Sequence, residues 1–303
     1  MIRVLHIVST LSKNSGVMSF IMNYYRNINL EKVQFDFLYF IESEISYKEE
    51  IEKMGGRIFY IKKPSLFTYK EYKKFFRENS KFYKAVHLHE VYLNAILLPM
   101  AKKNGIKNLI THSHTTQYSD KKLNSYRNRI LCFPINFIAT YRCACSKAAG
   151  EFLYGHKFLN MKHSFVLNNA IDCEKFKFNQ NIRDSYRSKL GLDNKFVIGH
   201  IGRFNEQKNH EFLIDIFLSV LKKRKNAILI LIGDGPRMEN IKDRVGELGI
   251  KNSVLFLERR NDIPNLLNAM DVFLLPSLFE GLPVVGVEAQ ASGLPIVFST
   301  TIT

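Results

Sequence analysis

The chain has 303 residues, 46% of them hydrophobic and 24% charged, which makes it too long for a mini-protein scaffold and too apolar for a disordered or fibrous one. It carries 44 Lys and Arg against 28 Asp and Glu, a formal charge of +16, and residues 1–180 hold 28 of the bases but only 14 of the acids. A surface of that sign attracts nucleic acid, anionic lipid or phosphorylated substrates, and composition alone does not choose among them.

The amino terminus, Met-Ile-Arg-Val-Leu-His-Ile-Val-Ser, has too short an apolar run for a signal peptide and reads as a first strand, Arg3 to Val8. A polar loop ends at Gly16, and Val17, Phe20, Ile21, Tyr24, Tyr25 and Ile28 then recur at helical spacing. Strand candidates follow at Val33–Phe40, Arg57–Ile61, Ala85–His89, Asn108–His112, Tyr141–Cys145 and Ser164–Leu167, with helix-like segments between most of them. The polar stretch from Asp172 to Arg187 separates this series from a second one: Phe196–Ile201, Ala227–Ile232, Val254–Leu257, Val272–Leu275 and Ile296–Phe298. Strands alternating with helices predict α/β architecture, a parallel sheet covered on both faces, twice over. The expected domains are residues 1–172 and 173–303. Asn209 is expected to cap the helix carrying Phe212, Ile216 and Val220, and Pro236 suits the first turn of another. No stretch reaches the roughly 18 apolar residues that span a bilayer, so a cytoplasmic location is expected. Cys132, Cys143, Cys145 and Cys173 form no Cys-x-x-Cys pair, and buried reduced thiols are the default reading.

The most informative segment runs from Pro276 through Glu280, Gly281, Leu282, Pro283 and Glu288 to Gly293. A strand ends in a Gly-bearing turn and a helix begins, with Pro283 expected at its first position. Backbone N–H groups around Gly281 and Leu282 then project from a helix amino terminus, a site for phosphate or sugar oxygens. Glu280 sits in the turn, and Glu288 lies about 7.5 Å further along at 1.5 Å per residue, so the two carboxylates can grip opposite ends of an elongated ligand.

On these residues the chain resembles, over nearly its whole length, the retaining glycosyltransferases of family 4 with the GT-B fold, particularly bacterial capsular and exopolysaccharide sugar transferases. The resemblance implies two Rossmann-like, doubly wound parallel-sheet domains facing a cleft. Glu280 would contact the transferred sugar and Glu288 the ribose of a nucleotide-sugar donor, most simply a UDP-sugar. Gly199-His-Ile-Gly202-Arg203-Phe-Asn-Glu-Gln-Lys208 matches the family's Gly-Arg and Lys pattern, which assigns Arg203 and Lys208 to the donor diphosphate beside Gly202. Cations there stabilise the charge that builds on a departing diphosphate, so neither a metal nor another cofactor is expected. Ile232-Gly-Asp-Gly-Pro236 resembles the family's glycine turn, while Glu258 stands where the family commonly has Gly. Thr10 to Gly16 resembles the glycine-rich loop after the first strand, with Ser15 replacing a usual glycine and Gly16 left for backbone approach to phosphate. Thr111-His112-Ser-His114 resembles the active-site histidine segment, and His112 is the better match for contact with donor or acceptor. His87 and His89 are expected to be strand residues, since no third metal ligand stands at workable spacing along the chain.

The function implied is transfer of a hexose to a glycan or lipid-linked glycan acceptor in surface polysaccharide synthesis. The rivals are a nucleotide-sugar epimerase of the same fold, an inactive truncated form, and a basic nucleic-acid-binding protein, the last opposed by the absence of any recognisable nucleic-acid-binding signature. Two basic runs in the first domain, Arg57–Lys84 and Lys102–Lys147, the latter interleaved with Tyr126, Leu131, Phe133, Phe137 and Tyr141, suit docking on an anionic membrane face. The sequence Ile296 to Thr303 resembles a strand and loop that family members follow with further helices. An incomplete second domain is therefore expected, with exposed apolar surface near Val297 and Val272 and reduced stability or activity.

Overall fold

The computed structural model describes residues 1–300. The chain divides into two compact units, Met1–Ala170 and Ile171–Thr303, a boundary two residues before the expected one.

The first unit is built from β1 (Ile2–Ile7), α1 (Gly16–Tyr25), β2 (Val33–Tyr39), α2 (Lys48–Lys53), β3 (Ile58–Tyr60), α3 (Tyr69–Asn79), β4 (Ala85–Leu88), α4 (Asn94–Lys103), β5 (Asn108–Ser113), α5 (Lys122–Cys132), α6 (Ile135–Ile138), β6 (Tyr141–Ala144), α7 (Lys147–Tyr154) and β7 (Ser164–Val166). Its seven strands are parallel in the order β3-β2-β1-β4-β5-β6-β7. The chain winds outward from β1 in one direction, then restarts at β4 and winds in the other, which leaves a crevice at the carboxyl ends of β1 and β4. Apolar side chains fill both faces: Leu5, Val86 and Leu109 meet Phe76 and Leu97 on one, and Phe37 meets Met18, Phe20 and Tyr25 on the other. At the opposite end of the sheet the fully buried Asp36 is ion-paired to Arg3 and, at 2.9 Å, to Arg57.

The second unit follows as α8 (Cys173–Phe176), α9 (Gln180–Lys189), β8 (Phe196–Ile201), α10 (His210–Lys223), β9 (Ala227–Ile232), α11 (Met238–Glu247), β10 (Val254–Leu257), α12 (Ile263–Ala269), β11 (Val272–Leu275), α13 (Val284–Ala291) and β12 (Ile296–Phe298). Its five parallel strands run β10-β9-β8-β11-β12, so winding reverses between β8 and β11.

Several expectations change here. The polar stretch from Asp172 belongs to the second unit, where α9 docks through charge and apolar contact: Arg183 and Arg187 reach Asp271 at 2.5 and 3.4 Å, Tyr186 donates to Asp262 at 2.9 Å, and Tyr186 and Leu190 pack against the core. Asn209 stands at the start of α10, but its backbone is left-handed (φ 53°) and its side chain donates to the Pro276 carbonyl at 3.3 Å instead of capping. The buried face of α10 is His210, Leu213, Ile214 and Phe217, one residue round from the expected stripe, and Phe212 is exposed. Pro236 lies two residues before α11, outside it. Val297 is exposed and Val272 half-buried, while residues 301–303 of the expected terminal loop lie outside the described residues.

Candidate functional site

The second unit gathers polar chemistry in two loops, one after β8 and one after β11, the adjacent strands that flank its winding reversal. Lys208 Nζ lies 2.6 Å from Glu280 Oε1, and both side chains are nearly out of solvent. Gln207 Nε2 donates to Glu280 Oε2 at 3.2 Å and to the Phe279 carbonyl at 3.0 Å, and Leu278 N donates to the Gln207 carbonyl at 2.8 Å. The two loops are therefore stitched together by backbone and side chain, and the carboxylate is held at both oxygens. The sequence reading assigned Lys208 and Glu280 separate tasks and passed over Gln207. The spatial pairing of residues 72 apart was visible only in the fold.

A Cβ at Gly202 would stand 3.0 Å from His200 Nε2 and 3.2 Å from Lys208 Cδ and Cε, so the lysine stem lies close against this glycine. Gly233, at φ +139°, follows β9, and a Cβ on it would strike the Gly202 carbonyl at 2.2 Å. The glycine turn is thus a packing requirement beneath the Gly202 loop. Arg203 is exposed, and no hydrogen bond or ion pair of its guanidinium occurs among the described residues. It differs in kind from Lys208: one cation is fixed, the other reaches into solvent.

Pro283 is the residue before α13, extended at φ −68° and ψ 117°, and the helix starts at Val284, one position later than expected. Gly281 and Leu282 are in the turn as anticipated, between Glu280 and the helix. Glu288 stands in the second turn of α13, and burial pushes its carboxyl up to about 7. A carboxyl of that kind exchanges its proton near neutrality, and a ligand hydroxyl donating to it favours the ionised form.

In the first unit Gly16 opens α1, and Ser15, in the place of the absent glycine, is the N-cap, its Oγ accepting from Met18 N at 3.3 Å. A Cβ on Gly16 would meet nothing within 4 Å, so the backbone there is approachable. His112, expected to contact donor or acceptor, lies at the carboxyl end of β5. Its ring is fully buried, with Nδ1 3.2 Å from His87 Nε2 and Nε2 3.8 Å from Cys143 Sγ. The strand periodicity that places His112 on the inner face also places His114 there, two residues on and half-buried beyond the strand's end. Nor are His87 and His89 without a third partner, because β1 adds His6 and β5 adds His112 and His114 on the same face. Burial holds all five imidazoles neutral, His87 and His114 down to about 3. Cys132, Cys143 and Cys145 are buried and Cys173 is exposed.

The basic run around α5 and α6 shows a regular outer stripe. Leu123, Tyr126, Ile130, Phe133 and Phe137 recur at intervals of three and four and are all exposed, the two phenylalanines 80% and 84%. Leu131 and Tyr141 face partly inward, so Leu123 and Ile130 take the places expected for them. In the other basic run Leu66 and Phe67 are each 94% exposed. No described helix is long and apolar enough to cross a membrane.

Two parallel sheets of seven and five strands are the architecture this chain shares with GT-B glycosyltransferases of known structure. The Glycosyl transferases group 1 family matches residues 182–302, which carry all the second-unit site residues. The putative glycosyltransferase EpsF of Bacillus subtilis is 36% identical over 309 residues, covering 99% of this chain and 80% of that protein. The chain belongs to that glycosyltransferase family. The capsular polysaccharide biosynthesis glycosyltransferase CapH of Staphylococcus aureus is 27% identical, covering 96% of this chain and 79% of its own length. Among solved structures, Anabaena HepE in complex with UDP and glucose superposes with a TM-score of 0.82 at 19% identity, covering 99% of this chain and 81% of that one.

Proposed function

We propose that the protein transfers a hexose from a UDP-sugar, with retention of anomeric configuration, to a glycan or lipid-linked glycan acceptor in surface polysaccharide synthesis. The observation that carries the reading is the buried Lys208–Glu280 pair at the carboxyl ends of β8 and β11. The family membership supports glycosyl transfer, the capsular name of CapH supports the polysaccharide setting, and the UDP in HepE supports the nucleotide.

In this reading Glu280 accepts hydrogen bonds from the hexose hydroxyls, Glu288 receives the ribose, and backbone around Gly281, Leu282 and Pro283 lines the turn. The C1–oxygen bond to the β-phosphate breaks as the acceptor oxygen joins C1 on the same face, and the acceptor proton passes to a diphosphate oxygen. Lys208 and Arg203 stabilise the negative charge that remains on the diphosphate, which is the task a divalent metal performs elsewhere, so none is assigned to this step. Same-face attack is preferred because Glu280, the carboxylate in the turn, is already held by Lys208 and Gln207 and is poorly placed to act as a nucleophile. Incubation with a panel of nucleotide sugars tests the reading. UDP should raise the melting temperature and one UDP-sugar should yield UDP with acceptor. No stabilisation by any nucleotide and no turnover of any donor would overturn it.

The lipid side of the proposal rests on the stripe from Leu123 to Phe137, flanked by Lys121, Lys122, Arg127 and Arg129. Aromatic and aliphatic side chains at helical spacing beside basic ones suit insertion at an anionic lipid surface, with a cytoplasmic, peripheral location. Sedimentation with vesicles of anionic and neutral lipid distinguishes the cases, since equal binding to both removes the electrostatic part.

A further inference from the structure

Five of the nine histidines lie together on one face of the first unit's sheet: His6 on β1, His87 on β4, His89 just past it, His112 on β5 and His114 just past that. The arrangement follows from register. His6 is paired with His87 across β1 and β4, and Leu88 with Thr111 across β4 and β5, so the next rung sets His89 beside His112. Residues two apart share a face, which adds His114. Phe20 of α1 covers the group, its ring 4.9 Å from that of His112 and 5.5 Å from that of His114.

We infer that His89, His112 and His114 form a binding site for one divalent transition-metal ion of the zinc type. One nitrogen from each lies within 4.8 Å of the others, and His89 Nδ1 is 2.8 Å from His114 Nε2. Tetrahedral ligands at a zinc–nitrogen distance of about 2.0–2.1 Å stand about 3.4 Å apart, so the ion needs a small opening of that contact and a tilt of the rings. The nitrogen of His89 that faces away from His114 is supported from behind, with Nε2 3.0 Å from His6 Nδ1. An outer partner of that kind fixes tautomer and ring direction in metal-bound histidines. Burial keeps imidazole in its lone-pair form, and an all-imidazole set suits zinc, copper or nickel over magnesium or calcium. His6, His87 and His89 form a second, deeper triad sharing His89, and His6 Nε2 has no hydrogen-bond partner among the described residues. The outer triad is favoured because half-buried His114 gives the ion a way in. Three protein ligands leave a fourth position for water. The ion would tie β4 and β5 together at their carboxyl ends, and it takes no part in the diphosphate chemistry proposed for the second unit.

The test uses untagged full-length protein with zinc chloride by calorimetry and cobalt chloride by visible absorption. One equivalent of zinc should bind, the cobalt form should show tetrahedral ligand-field bands, and the melting temperature should rise with zinc as mass action requires. His114→Gln, at a half-buried position that tolerates the change, and His89→Gln should each weaken binding at least tenfold and abolish the cobalt bands. His156→Gln with His163→Gln, both on the surface, should leave binding as in the parent. Zinc binding that persists in His114→Gln and vanishes in the surface double variant would overturn the site. So would the absence of any bound zinc in the parent, which would make the cluster a hydrogen-bonded packing unit.

Discussion

The two units solve the same folding problem with opposite placements of polar groups. In the second, β9 is purely apolar, Ala-Ile-Leu-Ile-Leu-Ile, with the buried His200 of β8 an exception among the central strands, and the Lys208–Glu280 pair stands in loops beyond the strand ends. In the first, imidazoles occupy the sheet face itself, and apolar side chains stand outside on α5 and α6. Loop residues can be exchanged without disturbing a core, whereas a polar group inside a sheet must find partners there. The second unit therefore gathers its paired lysine and glutamate in loops, and the first gathers its imidazoles on strands.

The sharpest way to break that contrast is at Lys208, where a loop residue is nearly as buried as a core one. Lys208→Ala leaves Glu280 without its cation, so it should cost about 3–5 kcal/mol of stability as well as turnover. An unchanged melting temperature would show that the pair is not structurally coupled. Glu280→Gln should abolish measurable transfer and, by leaving Lys208 without its counter-ion, also lower the melting temperature, read by product analysis at a temperature where the circular-dichroism spectrum is parental. Arg203→Ala separates function from stability on the same loop. Turnover and UDP affinity should fall about 10- to 100-fold while stability stays within about 0.5 kcal/mol, since the side chain is exposed and makes no hydrogen bond or ion pair among the described residues. A parental rate would remove Arg203 from the site.

In the first unit, Phe133→Ser with Phe137→Ser should reduce sedimentation with anionic vesicles several-fold and leave turnover on a soluble acceptor as in the parent. Undiminished binding would free the stripe from that role. A further effect concerns Glu288. Its folded carboxyl binds a proton more tightly than an unfolded one, so its contribution to stability is full below about pH 4, fades as pH rises through about 7, and is constant above. Melting temperatures from pH 5 to pH 8 should show this slope in the parent and lose it in Glu288→Gln, and identical slopes would place the titration elsewhere.

Every strand of the second unit is legible in the sequence, because a buried parallel strand is a short apolar run between turn residues and needs no knowledge of its neighbours. The turn from Pro276 to Pro283 with Glu280 is legible for the same reason, being contiguous. What failed locally failed by one or two positions: Pro283 before α13, Pro236 before α11, the buried stripe of α10. At those points tertiary contact chose between near-equal registers, as when Asn209 gave its amide to the Pro276 carbonyl. The contacts of α9 with Asp271 join residues more than 80 positions apart and were not visible in the sequence.

Periodicity between neighbours up to four residues apart determined the elements, and the order of residues around Gly202 and Glu280 determined the family. Only the winding of two sheets decided that Lys208 meets Glu280 and that histidines from three strands share one face. Those meetings join residues 72 and 83 positions apart, and their geometry depends on strand order and register, which no local stretch of sequence encodes.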